Sequence, residues 1–192
     1  GINFTPAPGT SIGIGFRSAI KHDLDGGFTI PAIQPTAFPI AADLTTPEKV
    51  TLGIRQDLAP GVRGHATVEW TNWSRLGVIP VEGAPVPTAL DFQWEDGWYF
   101  ALGGEYDYSD KLTLRTGFGY EISPVREASQ RLVQLPDNDR YWLSAGASYK
   151  VGDLLGLLKD ATVDLAYTHI FVEDGTFERS PASSPAPVIA GD

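Results

Sequence analysis

Trp98-Tyr99-Phe100-Ala101-Leu102-Gly103-Gly104-Glu105-Tyr106 decides the fold. Trp98, Phe100, Leu102, Gly104 and Tyr106 alternate with Tyr99, Ala101, Gly103 and Glu105, so one side is ringed and aliphatic and the other small or polar. A period of two is that of a β-strand with two different faces. Trp98 and Tyr106 end the apolar side eight residues apart, and Tyr141 and Tyr149 repeat the spacing. At ~3.3 Å per residue and a tilt of about 40°, eight residues rise roughly 20 Å, close to the ~25 Å apolar band between the aromatic girdles of a membrane barrel.

The alternation recurs on both sides of this stretch. Ile12, Ile14 and Phe16 oppose Gly13, Gly15, Arg17, Ala19 and Lys21, so this strand is expected to run to Lys21; Val50, Leu52 and Ile54 oppose Thr51, Gly53 and Arg55. Val62 to Trp70, Leu112 to Tyr120, Tyr141 to Tyr149 and Val163 to Phe171 follow the same rule. Seven strands are predicted, with a stub at Ile2–Thr5. All 15 prolines fall outside the alternating cores, as central hydrogen-bonded strands require. Short connectors (Pro6–Thr10, Ala59–Gly61, Tyr108–Lys111) alternate with long ones (Pro31–Pro47, Leu76–Asp91, Ser123–Asp137), the mark of an up-and-down barrel with tight turns at one end. Gly152–Asp160 is a compact connector whose Leu154, Leu155, Leu157 and Leu158 are expected to turn helically. The fold class expected is all-β, an antiparallel up-and-down transmembrane β-barrel of seven to eight strands; a soluble β-sandwich or lipocalin-like barrel is the alternative.

Composition supports this class and removes others. The 192 residues carry 14 Lys+Arg against 24 Asp+Glu, a net charge of −10. No basic run offers itself to nucleic acid. Cysteine is absent, which excludes disulfide frameworks and thiolate sites. No stretch approaches the ~20 apolar residues of a spanning helix, a test that barrels escape. Methionine is absent and the chain starts at Gly1, so a processed chain or a fragment is expected.

At this point the residues resemble a known family, the outer-membrane long-chain fatty acid transporters of FadL/TodX type. Trp70-Thr71-Asn72-Trp73-Ser74-Arg75, the Trp98–Tyr106 stretch and Leu112-Thr113-Leu114-Arg115-Thr116-Gly117 carry the resemblance. Its most specific part is Ser123-Pro124-Val125, followed by Leu135-Pro136-Asp137-Asn138-Asp139-Arg140-Tyr141-Trp142-Leu143-Ser144. Asp164–Phe171 fits a penultimate strand. The resemblance implies a fourteen-stranded parent barrel, of which this chain would hold a partial sixth to the thirteenth strand. Residues 1–178 would form the partial barrel and 179–192 a Pro/Ser/Ala-rich outer loop or tail. The family's plug, kinked third strand and aromatic-ended last strand find no match here. Taken alone, the polypeptide is expected not to transport.

The resemblance implies uptake of long-chain fatty acids or other hydrophobic compounds by passive diffusion, with sideways release into the bilayer and no cofactor. Its partners would be a fatty acid or hydrocarbon ligand, outer-membrane lipid and lipopolysaccharide, with a monomer at full length and a multi-pass location in the Gram-negative outer membrane. Candidate ligand contacts are Ile30, Ile33, Phe38 and Ile40, unusually apolar for the long outer connector between Thr29 and Pro47. Arg55, Arg63 and Arg115 on the inner face are candidates for a carboxylate, against the plainer role of pairing with Glu69, Glu105 and Glu121. The three acids of Asp91–Asp96 would repel a carboxylate and favour a neutral cargo. Gly9-Thr10-Ser11-Ile12-Gly13 spells a nucleophile-elbow pattern but enters a strand instead of a helix, so no enzyme is expected. His22, His65 and His169 lie on different strands and suggest no metal site. Alternatives are a general diffusion porin or structural barrel, and a membrane hydrolase using Ser11.

Overall fold

The computed structural model describes residues 1–30, 34–85, 88–131, 135–154 and 158–178. Its elements are β1 (Ile2–Ala7), β2 (Thr10–Arg17), β3 (Ile20–Ile30), β4 (Gln34–Thr46), β5 (Lys49–Ala59), β6 (Val62–Thr71), a 3-10 turn (Trp73–Arg75), β7 (Val78–Val81), β8 (Thr88–Asp91), β9 (Gly97–Asp107), β10 (Leu112–Ile122), β11 (Arg140–Leu154) and β12 (Leu158–Val172). Eight strands form one antiparallel sheet in the order β1-β2-β5-β6-β9-β10-β11-β12. Its two edges, β1 and β12, do not pair, so the sheet is open. The hairpins β3-β4 and β7-β8 stand apart as two-stranded sheets.

Register carries the sequence alternation across the whole sheet. Ile14, Leu52, Val68, Phe100, Tyr120, Tyr141 and Phe171 are successive cross-strand partners on one face. Three residues along the strands from these, Arg55, His65, Gly103, Gly117, Ser144 and Thr168 form a row on the other. Among the described residues none covers the apolar face: Phe16 and Leu102 are each 66% exposed and Leu165 75%. A sandwich would bury these side chains. An apolar surface of this extent needs a non-aqueous neighbour.

Short and long connections alternate as expected. β1-β2, β5-β6 and β9-β10 turn tightly at one end, Gly61 taking φ of 74° in the second turn, a conformation that glycine adopts without strain. Three other connections gather at the opposite end. The buried apolar side chains among the described residues (Leu76, Ile79, Phe92 and Val125) all sit in those loops and none in the sheet.

Four expectations need correction. The Ile2–Thr5 stub is a full strand to Ala7, with a register shift at Pro6 that an edge strand tolerates. The strand expected to run on to Lys21 stops at Arg17. Most of the connector between Thr29 and Pro47 is strand, the β3-β4 hairpin, and Leu76–Asp91 contains β7 and β8. The Leu-rich turn is not helical over its described part, since Leu154 pairs with Leu158 as the ends of β11 and β12. Residues 155–157 and the 179–192 tail lie outside the described residues.

Candidate functional site

Near the short-turn end, the inner face carries a chain of ion pairs crossing five strands. Arg63 on β6, Glu105 on β9 and Arg115 on β10 are consecutive register partners. Arg63 Nε donates to Glu105 Oε2 at 2.8 Å, and its two terminal nitrogens donate to the Asp107 oxygens at 2.7 Å each. Arg115 Nε donates to the other Glu105 oxygen at 3.1 Å. Arg115 also donates to Ser148 Oγ, and that hydroxyl donates to Asp164 on β12. Asp107 accepts a further bond from Thr113 at 2.8 Å. Arg55 meets Asp57 at 3.0 Å. Exposed pairs contribute little individually, but bidentate and networked ones hold fixed geometry.

Higher on the same face the lining changes. Thr67, Ala101, Gly119 and Trp142 succeed one another across β6, β9, β10 and β11. Tyr99 lies over Gly119, and Trp142 meets Tyr99 edge-on at 6.2 Å. The Trp142 indole N–H is buried with no hydrogen-bond partner among the described residues. At the outer rim, Lys49 and Thr51 both donate to Glu69, and Arg140 faces Glu121 at 3.8 Å.

The long loops form a packed cap. Leu76, Ile79 and Phe92 cluster with Ala42, Leu44, Trp73 and Trp94, the rings of Phe92 and Trp94 edge-to-face at 4.9 Å. Ala41 and Glu82 exchange both main-chain hydrogen bonds, at 3.0 and 2.8 Å, joining the two hairpins. The Trp70–Arg75 segment anchors this cap. Trp70 Nε1 donates to Asp96 at 2.9 Å, while Asn72 and Arg75 both donate to Glu48. These donors, Arg75 foremost, hold the Glu48 carboxyl down at about 2. On β3, the Lys21 ammonium is pushed above its ordinary range by hydrogen bonds from it to Asp43 and Asp23. Behind the cap, Ser123 is 1% exposed. Its N–H donates to Asp139 and its hydroxyl to Asp137, both at 2.8 Å.

The sequence candidates fall into two separate groups. Phe38 and Ile40 lie half-buried on β4, and Ile30 ends β3, in the cap; Ile33 lies outside the described residues. Arg55, Arg63 and Arg115 sit toward the opposite end. From Lys49 at the cap end of β5 to Asp57, eight residues span roughly 26 Å of strand, so the groups cannot share one small pocket. Each arginine already has a carboxylate partner. The Tyr99–Trp142 pair was missed by sequence reasoning, although a tryptophan on the polar register of β11 was a visible signal. Ser11 lies in β2 with its hydroxyl on Asn3 at 2.8 Å. Asp96 and Glu95 are structural acceptors, Glu95 facing Arg126 at 3.4 Å.

A family profile described as "Outer membrane protein transport protein (OMPP1/FadL/TodX)" matches residues 1–189. The chain is 29% identical over 182 residues to the long-chain fatty acid transport protein of Salmonella typhi, covering 86% of this chain and 40% of that protein. It is 33% identical over 129 residues to outer membrane protein P1 of Haemophilus influenzae, covering 66% and 26%. It thus spans about two fifths of the length of the first curated relatives it matches. Among solved structures, a Pseudomonas aeruginosa FadL homologue superposes with a TM-score of 0.77 at 23% identity, over 89% of this chain and 43% of that one. The Pseudomonas putida toluene transporter TodX gives 0.51 at 17%, over 86% and 41%. These structural likenesses bear on the fold.

Proposed function

The chain belongs to the OMPP1/FadL/TodX family of outer membrane transport proteins, and from that premise we propose that it forms wall and cap of a channel for uptake of hydrophobic compounds, fatty acids or aromatic hydrocarbons. The family is one of transporters and not of enzymes. The observation that carries the reading is the cap, a loop structure with its own apolar core, whose β4 strand also carries the half-exposed Phe38 and Ile40. An apolar molecule settling there loses water contact at about 25 cal/mol per Å². It then passes to the level of Tyr99, Ala101 and Trp142. Passage is diffusion down a gradient with no bond made or broken, and it ends in sideways release into the bilayer. The monomer is the working unit, with lipopolysaccharide around the aromatic outer girdle.

The test is accumulation of oleate, oleyl alcohol and toluene by cells with and without the gene. Faster accumulation of at least one hydrophobe in its presence is expected, lowered severalfold by Phe38→Asp with Ile40→Asp at equal outer-membrane level. Equal rates for all three probes, with faster entry of a polar disaccharide, would replace this reading with a general diffusion porin, which the charged inner face also suits.

A further inference from the structure

Cross-strand pairing brings two cations together at the cap end of the inner face. Arg17, the last residue of β2, is the direct partner of Lys49 on β5, and Lys49 shares the inward register with Thr51, Gly53 and Arg55. Like charges directly opposite on neighbouring strands repel. Glu69 is the carboxylate beside them, and both its oxygens are engaged, Oε1 by Lys49 at 2.5 Å and Oε2 by the Thr51 hydroxyl at 2.8 Å. Glu48, next to Lys49 in sequence, is held by Asn72 and Arg75. Arg17 is exposed and has no hydrogen bond or ion pair among the described residues. The other inward arginines differ: Arg55 faces Asp57, Arg63 and Arg115 share Glu105, and Arg140 faces Asp137 and Glu121. Lys150, also without an ion pair among the described residues, stands at the short-turn end, where its charge acts on Asp107.

Position puts this pair on the route of the cargo. Arg17, Lys49, Thr71 and Gly97 form one row across β2, β5, β6 and β9, two residues nearer the cap than Tyr99. A molecule passing from the cap to the level of Tyr99 and Trp142 crosses that row before it leaves sideways. Gly15, the next inward residue on β2, sets no side chain beside the guanidinium. The acids of Asp91–Asp96 end next to Gly97, three strands from Arg17, about 14 Å at ~4.8 Å per strand and beyond the ~8 Å screening length. We infer that Arg17, with Lys49 beside it, receives the carboxylate of a long-chain acid at the entrance of the channel, and so sets a preference for the acid over an uncharged compound of the same chain length. The anion completes a cluster that the sheet leaves with two cations against one carboxylate. This inference rests on the uptake reading above and narrows its substrate class.

The test compares oleate with oleyl alcohol, identical tails with and without a charge, in cells carrying the whole gene, at about pH 8 where the carboxyl is ionised. The wild type is expected to speed oleate accumulation more than that of the alcohol. Arg17→Gln removes a charge-assisted bond and should lower oleate accumulation about tenfold, leaving the alcohol rate as it was. Arg17→Lys should retain most of the oleate rate. A merely structural role for Arg17 would lower both probes together. Gly15→Glu offers Arg17 a carboxylate from two residues away, and its Cβ meets nothing nearer than Thr51 Cβ at 3.8 Å. It should lower oleate alone, whereas Gly15→Gln, equal in size and uncharged, should keep the wild-type rate. This second pair keeps the inference testable where Arg17→Gln fails to reach the outer membrane. An unchanged oleate-to-alcohol ratio in Arg17→Gln or Gly15→Glu overturns the role of Arg17. Wild-type cells that speed the alcohol or toluene but oleate no more than the alcohol overturn the preference and leave hydrophobic uptake standing. Acceleration of none of the three probes overturns both.

Discussion

Arg75 closes on Glu48 across 27 residues of chain, Nε and Nη2 each 2.6 Å from a different carboxylate oxygen. Asn72 adds a third donor at 2.8 Å. The clamp joins the start of β5 to the segment that leaves β6, the two roots of the cap.

A pH dependence follows from this clamp. The Glu48 carboxyl titrates at about 2 in the fold against an ordinary 4.5. A carboxyl with its pKa lowered by folding stabilises the fold above its unfolded value and ceases to do so as pH falls toward the folded one. Protease sensitivity of the cap should therefore rise between about pH 4.5 and 2. Glu48→Gln should show raised sensitivity already at neutral pH and lose that acid step. Limited proteolysis of the membrane-embedded protein across this range checks both.

Ser123 predicts a second effect. It is almost fully buried and satisfies Asp137 and Asp139 together. Ser123→Val leaves the Asp137 oxygen without its donor, a cost of ~1–3 kcal/mol. Cleavage within 124–136 should become faster, while the sheet unfolds at nearly its former urea midpoint.

The close packing of Tyr99 on Gly119 predicts a third. A Cβ at position 119 would stand 2.6 Å from the Tyr99 hydroxyl and 2.9 Å from its ring. Gly119→Val should destabilise the barrel by ~1–3 kcal/mol through overpacking. Tyr99→Ser in the same chain should restore most of it. Urea unfolding in lipid vesicles is the measurement.

The exposed apolar face predicts a fourth. Leu102→Arg places a charge toward lipid at mid-strand and should cost ~2–4 kcal/mol. Its neighbour in sequence faces inward, so Ala101→Ser should fold as the wild type does. The heat-dependent gel mobility of folded barrels separates the two.

Much of the wall was legible because lipid and lumen impose opposite demands on neighbouring residues. Leu102 and Gly103 cannot exchange roles, and a period of two recorded this in every membrane strand. The cap was misread for a physical reason. Pro35 and Pro39 lie on β4, and proline normally argues against a strand. A two-stranded hairpin leaves half its main-chain donors unpaired anyway, so prolines cost it little. Glycines 26 and 27 on β3 hid its alternation further. The inner-face arginines were placed on the right side from sequence, but their partners depend on register between strands up to 44 residues apart. Charge counting alone could not decide which carboxylate answers which cation.

The joint between Ala41 and Glu82 is made by main chain alone. Exposed side chains on the outward faces of both hairpins can therefore change without loosening the joint, whereas Gly83 beside it cannot, since a Cβ there would collide with the Pro39 carbonyl oxygen. The chemistry of those outward side chains can drift while the framework that presents them stays the same.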